Sequence, residues 1–374
     1  MKFQYIIILS LILANCQTKK EKPNEKEEVV TSFFVGTYTD TISKGIYTYS
    51  LSENGKLEKI GLAAVSENPS FLTKSIDNNY LLAVNETNSL DGSGTIESFL
   101  INGDSLSFIS RSSSGGAHPC FVTVNNNGDV LTANYTGGTV GLLKLNTEGE
   151  LSDLLDIQKH TGKGTKKQQN APHAHAAWFE ANNNSIISVD LGTNELWFSK
   201  IDTLQQKFQF SEPNTLKLDT GAGPRHLSFH PNGKWIYVIN ELNNSISLVK
   251  KSDKQIFEKT ASFSTLPDGF DKDSFCADIH ISSDGHFLYA SNRGHNSLAI
   301  FKINKEDGHL KLIGHESVKG DWPRNFSLSP NEDYILVANQ RSNNIISLKR
   351  DKNTGLLTFI DEIEAPSPVC ILFR

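Results

Sequence analysis

Methionine occurs once in the 374 residues and cysteine only four times, at positions 16, 120, 276 and 370. No two cysteines stand close enough for a CxxC or a cysteine–histidine pattern of zinc spacing, so neither a metal centre nor a redox motif can be read. Cys120, Cys276 and Cys370 are an odd set and read as small buried residues in strands. Stability must then come from an apolar core rather than from disulfides. An excess of positive charge is missing too: the net charge is -6. The basic residues are scattered with no aromatic platform among them, which excludes nucleic acid and an anionic membrane surface as partners. No apolar run reaches the roughly 20 residues that a bilayer requires. What is present, 37% hydrophobic and 21% charged residues, suits a soluble globular chain with a sizeable core.

The N-terminus stands apart from the rest. Residues 1–16, "MKFQYIIILSLILANC", have one early lysine, an apolar run and then Cys16, the layout of an export signal. Leu13-Ala14-Asn15-Cys16 is similar to a bacterial lipobox, in which the cysteine is lipidated and becomes the mature N-terminus. Asn15 stands where such motifs usually have a small residue. Residues 17–31, "QTKKEKPNEKEEVVT", are charged and poor in apolar residues, as a flexible tether is. The sequence thus predicts an exported, periplasmic or cell-surface protein, lipid-anchored at Cys16, with a folded monomeric domain over 32–374. An ordinary signal peptide and a soluble periplasmic protein are the alternative.

That domain is built on a repeat. "GPRHLSFHPNGKWIYVINE" (223–241) reads as two strands about the turn Pro231-Asn232-Gly233. The same logic recurs at 68–86, 118–135, 173–191, 275–293 and 322–340: a Pro or polar opening, alternating apolar positions, a turn, then an apolar strand ending in Asn or Asp. Period-2 alternation with this turn chemistry predicts hairpins. The closing residues Asn85, Asn134, Asp190, Asn240, Asn292 and Asn339 recur about every 50 residues, room for four short strands and the size of a propeller blade. "FFVGTYT" (33–39) matches a second strand with no first, and "PSPVCILF" (366–373) a first strand with no second. Together they supply one further blade. The predicted fold is all-β, a seven-bladed β-propeller closed by a blade shared between N-terminal and C-terminal strands.

Topology turns sequence positions into places. The start of a blade's first strand and the end of its second lie at one mouth of the central channel. His173 and His175, Arg225, Asp278 and Arg324 open first strands, and Glu86, Asn134, Asp190, Glu241 and Arg293 end second strands. Arg225 and Glu241 are equidistant from Gly233, so a regular hairpin sets them directly across the ladder. The recurring Asn residues read mostly as satisfying turn backbone, with Asn134 retained among the binding candidates. His230 and His286 fall by the far turns and read as solvent-exposed.

The segments "GAGPRHLSFHPNGKWIYVINELNNSI", "YASNRGHNSLAIF", "ANYTGGTVGLLKL" and "PHAHAAWF…SVDLGTNEL" closely resemble the seven-bladed lactonase family. That family includes propeller-type 6-phosphogluconolactonases and fungal carboxymuconate lactonising enzymes. The resemblance spans roughly residues 33–374. It implies a lactone site of one His, two Arg and a Glu, carried here by His175, Arg225, Glu241 and Arg293; His173, Asn134, Asp278 and Arg324, placed at the same mouth by topology, are the substrate-binding candidates. It implies a small-molecule lactone partner and no metal or organic cofactor. This chain reads Pro119-Cys120-Phe121 where the family often has a histidine.

The expected chemistry is water attack on a lactone. The arginines hold an anionic group and stabilise developing charge, while His175 or Glu241 acts as base. Pairing with Arg225 lowers the basicity of Glu241, which favours His175. Sugar phosphates are cytosolic metabolites, so either the export signal is misread or the substrate is a different lactone met in the periplasm. A non-catalytic ligand- or protein-binding propeller and a muconate-lactonising cycloisomerase are the competing readings.

Overall fold

The predicted hairpins form, and each gains two further strands. The computed structural model describes Met1 and residues 30–40, 42–181 and 184–374. The signal segment, Cys16 and nearly all of the proposed tether lie outside the described residues. Among the described residues, twenty-eight strands make seven four-stranded antiparallel sheets. The inner strands of blades one to seven are Pro368–Phe373, Leu72–Lys74, Pro119–Val124, Ala174–Phe179, Pro224–Phe229, Phe275–Ile281 and Pro323–Leu328.

Blade one is the shared blade. Its C-terminal inner strand pairs antiparallel with the N-terminal strand Val30–Thr37, setting Phe33 opposite Phe373 and Val35 opposite Ile371. The closure is apolar: Phe33 is buried between the rings of Tyr49 and Phe373. Core clusters lie between neighbouring sheets. Tyr334, Leu336 and Ala338 of blade seven, for example, join Phe33 and Tyr49 of blade one. Tyrosine hydroxyls tie blades at matched places, Tyr237 to Gly308 O at 2.7 Å and Tyr289 to Gly355 O at 2.9 Å. Most terminal Asn residues satisfy backbone, Asn134, Asn292 and Asn339 donating to Ser114 O, Thr265 O and Val318 O, whereas Asn240 donates to the Ser245 and Ser247 hydroxyls.

The regular ladder fails at one recurring point. In the 223–241 hairpin, Pro224 pairs with Asn240 and His226 with Ile239, so Arg225 is an extra residue. Cys120, His175, Arg324 and Val369 are extra in the same way, and blade six shifts register between Cys276 and Ile279. Arg225 therefore does not face Glu241 across the ladder, which corrects the equidistance argument. A β-bulge inserts one unpaired residue and re-aims its side chain. His230 differs from expectation as well: it is half-buried, with Nε2 3.1 Å from Gly285 O of the next blade.

Candidate functional site

Two glycines turn the chain into the mouth. Gly223 has φ +67, and its carbonyl accepts the Glu241 N–H at 2.7 Å. Gly294, just after Arg293, has φ +101, and a Cβ there would fall 2.3 Å from Asp273 O. Both conformations favour glycine, so the glycines of "GPRH" and "SNRG" are demanded by the backbone that presents Arg225 and Arg293.

The bulges bring the predicted residues together. Glu241 Oε2 lies 2.8 Å from Arg293 Nη2 and 3.3 Å from Arg225 Nε, one carboxylate between two guanidiniums. Both arginines are also pinned to backbone. Arg225 Nη1 donates to Ala277 O at 2.6 Å, and Arg293 donates through Nε to Phe275 O and through Nη2 to Cys276 O. His175 is 3% exposed, its ring 5.5 Å from Tyr135 and 5.3 Å from His226. Its Nδ1 is 3.7 Å from Cys120 Sγ, whose thiol donates to His175 O. Nε2 makes no hydrogen bond to a described residue. Burial raises the Cys120 thiol, which stays uncharged beside the His175 ring.

The packing against His226 is aromatic. Phe71, Phe121 and Trp178 pack ring to ring at 4.4 and 4.6 Å, and all three contact His226. Desolvation follows from that packing. Burial, with the positive charge of Arg225 added, holds the His175 imidazolium well below its ordinary range, so the ring is neutral at pH 7. The same causes put His226 at about 4. Burial would raise the Glu241 carboxyl, but Arg293 and Arg225 outweigh it and hold it below its usual value.

His226 is a site residue that the strand pattern conceals. Strict alternation turns it away from Arg225; the bulge sets its Nε2 3.3 Å from Arg225 Nη1 and its Nδ1 2.9 Å from Asp278 Oδ1. Since Arg225 can only donate, Nε2 accepts and Nδ1–H donates to Asp278. Asp278 sits deeper than the mouth. It also accepts from Asn325 Nδ2, Ile279 N and Phe326 N and lies 3.1 Å from His280 Nε2. With its oxygens engaged and 3% exposed, Asp278 braces Arg225 through His226.

The other candidates divide. His173 is at the mouth, half-buried, stacked on Tyr135 at 4.5 Å with Nδ1 2.9 Å from Tyr135 O. Arg324 is there too, its guanidinium over the Tyr38 ring at 5.4 Å. Asn134 is not: it is fully buried, and its Nδ2 donates to Ser114 O and Thr139 Oγ1. Asp190 is likewise sequestered, taking the backbone N–H groups of His173 and Thr193 and lying 2.7 Å from His160 Nδ1. Tyr38, whose hydroxyl donates to Glu86 Oε2 at 2.8 Å, is a mouth residue the sequence reading passed over. Counting the N-terminal strand as the second strand of the shared blade puts it at the Glu241 position. Among the described residues, no group of three or more His, Cys, Asp or Glu is arranged to hold a metal ion.

Comparison with known proteins identifies the family. The model of the lactonase family, described as a 7-bladed beta-propeller, matches residues 32–373. A 6-phosphogluconolactonase of Bacillus subtilis is 35% identical over 346 residues, covering 91% of this chain and 97% of the relative. A 6-phosphogluconolactonase of Formosa agariphila is 36% identical over 336 residues, covering 87% and 94%. The solved periplasmic gluconolactonase of Pseudomonas aeruginosa superposes with a TM-score of 0.87 at 26% identity, over 92% of this chain and 99% of that one. With a match over the whole propeller and relatives of this similarity, the chain belongs to the seven-bladed β-propeller lactonase family.

Proposed function

We propose that the protein hydrolyses a sugar-type lactone in the channel well, with His175 as general base. The observation that carries this reading is the contact geometry: Glu241 bridges Arg225 and Arg293, and His226 touches both Arg225 and the His175 ring. His175 Nε2 takes a proton from water as its oxygen attacks the lactone carbonyl carbon. The carbonyl electron pair moves to oxygen, and the resulting oxyanion is met by Arg225 and Arg293, held in place before the reaction starts. The ring C–O bond then breaks, the imidazolium protonates the departing alkoxide, and the hydroxy acid leaves. Glu241, its carboxylate engaged by both guanidiniums, orients the two arginines.

The relatives' names bring aldonolactones, phosphorylated or not, as the substrate class. The Pseudomonas aeruginosa protein is described as periplasmic, which supports the proposal that this chain too is exported, with Cys16 as its lipid anchor and the propeller acting as a monomer. A panel of aldonolactones, their phosphates and muconates, assayed with the purified full-length protein and its His175→Ala variant, tests the reaction. The expected result is ring opening of an aldonolactone, reduced roughly 10²–10⁴-fold in the variant. Turnover of muconates alone would support the cycloisomerase, and no turnover of any of them a binding propeller.

A further inference from the structure

Two arginines hold the same register position in different blades and end differently. Arg225 reaches the next blade, donating to Ala277 O, and pairs with Glu241. Arg324 has Val369 as the matching residue of its next blade, yet it makes no hydrogen bond to any described residue. It lies against the face of Tyr38, and its Nη2 stops 4.0 Å from Glu86 Oε2, past hydrogen-bond reach. Glu86 is itself engaged by the Tyr38 hydroxyl. The guanidinium is thus placed while its N–H donors stay unspent, and at 17% side-chain exposure it is recessed but wet.

A second observation comes from the blade that supplies Glu86. There Glu86 N donates to Asn68 O as Glu241 N donates to Gly223 O. Ser70, two residues past Asn68, therefore stands where Arg225 stands two past Gly223. Ser70 is 4% exposed and its Oγ has no partner. In Arg324's own blade, Gln340 Oε1 is buried and unpartnered. Unpaired buried polar atoms are costly unless something completes them.

We infer that Arg324, with the Ser70 hydroxyl as second donor, holds an anionic substituent of the lactone, a carboxylate or a phosphate ester. Arg225 and Arg293 are left to the carbonyl, and Gln340 accepts from a substrate hydroxyl. This rests on the lactonase reading above and adds to it the residue that sets charge preference.

The test compares three substrates on full-length protein: uncharged gluconolactone, 6-phosphogluconolactone and the carboxylate-bearing glucarolactone. The parent protein is expected to prefer a charged lactone, and its better anion identifies the source. In Arg324→Gln the charged-to-uncharged ratio of kcat/KM should fall roughly 10- to 100-fold, the loss of a charge-assisted contact, mainly through KM. Ser70→Ala should shift the ratio the same way by less, and Arg324→Lys should restore part of it. Parallel losses on all three substrates in a variant that melts like the parent, or a parent with no charge preference, would overturn the assignment and leave the lactonase reading standing. A parent that opens no lactone removes that reading first.

Discussion

Glu241 illustrates how one side chain fixes several. Its carboxylate lies between Arg225 and Arg293, so removing its charge leaves two recessed guanidiniums facing each other. Glu241→Gln should lower stability by roughly 2–3 kcal/mol, less than a fully buried pair because the carboxylate keeps some solvent, with a larger loss in kcat than in KM. Chemical denaturation and steady-state kinetics on one preparation check both parts. Asp278 acts at one remove. Asp278→Asn should disturb the His226 tautomer and hence Arg225, slowing turnover while His175 remains intact.

The pH dependence belongs to this scale. His175 works as a neutral base, and its folded value lies well below 6.5, so kcat/KM should hold level through pH 6 and fall only at lower pH. For stability the sign runs the same way. A histidine whose folded value is depressed resists protonation that the unfolded chain accepts, so its contribution is intact above about 6.5 and is lost as pH falls below it. Asp278, held well below 3.8 by His280 and His226 against its own burial, stabilises at neutral pH and ceases to as pH falls through the acid range. A pH–rate profile with an acid limb at pH 6.5 would contradict the base assignment.

At the scale of strands, the functional feature is the bulge rather than the hairpin. Alternating apolar residues made the hairpins, the blade count and the shared blade legible, because period-2 burial is written directly into side-chain chemistry. They could not reveal that Arg225 and His226 face the same space, since alternation assigns them to opposite sides. Proline marks the exception. Pro119, Pro224, Pro323 and Pro368 each stand one residue before an extra residue, as expected of a residue that donates no ladder hydrogen bond and favours bulges within sheets. Asn134 was misplaced for the opposite reason: its strand ends at the mouth, while its amide turns back to Ser114. Gly223→Ala tests the presenting turn. A left-handed conformation costs an L-residue roughly 1–2 kcal/mol, and the new Cβ would sit 2.5 Å from Leu242 Cγ. The expected result is a lower Tm together with a fall in turnover that exceeds what the stability loss explains.

For the molecule as a whole, one strand closes the ring. Val369, Cys370, Ile371 and Phe373 are at most 9% exposed, and burying each large apolar side chain contributes about 1.5–3 kcal/mol. Their sum is of the same order as the ~5–15 kcal/mol net stability of a typical domain. A chain ending at residue 365 should show no cooperative thermal transition by calorimetry, and a sharp transition equal to the parent's would refute the closure. Packing of neighbouring blades is also what makes chemistry available, since His175, Arg225, Glu241 and Arg293 come from three consecutive blades. The most direct measurement is a crystal structure with an unreactive aldonolactam in place of the lactone. The account predicts its carbonyl oxygen about 3 Å from donors of Arg225 and Arg293, with His175 Nε2 facing the carbonyl carbon across one water. A lactam seated on the opposite face, in the groove lined by Lys302, Lys305 and His309, would contradict it.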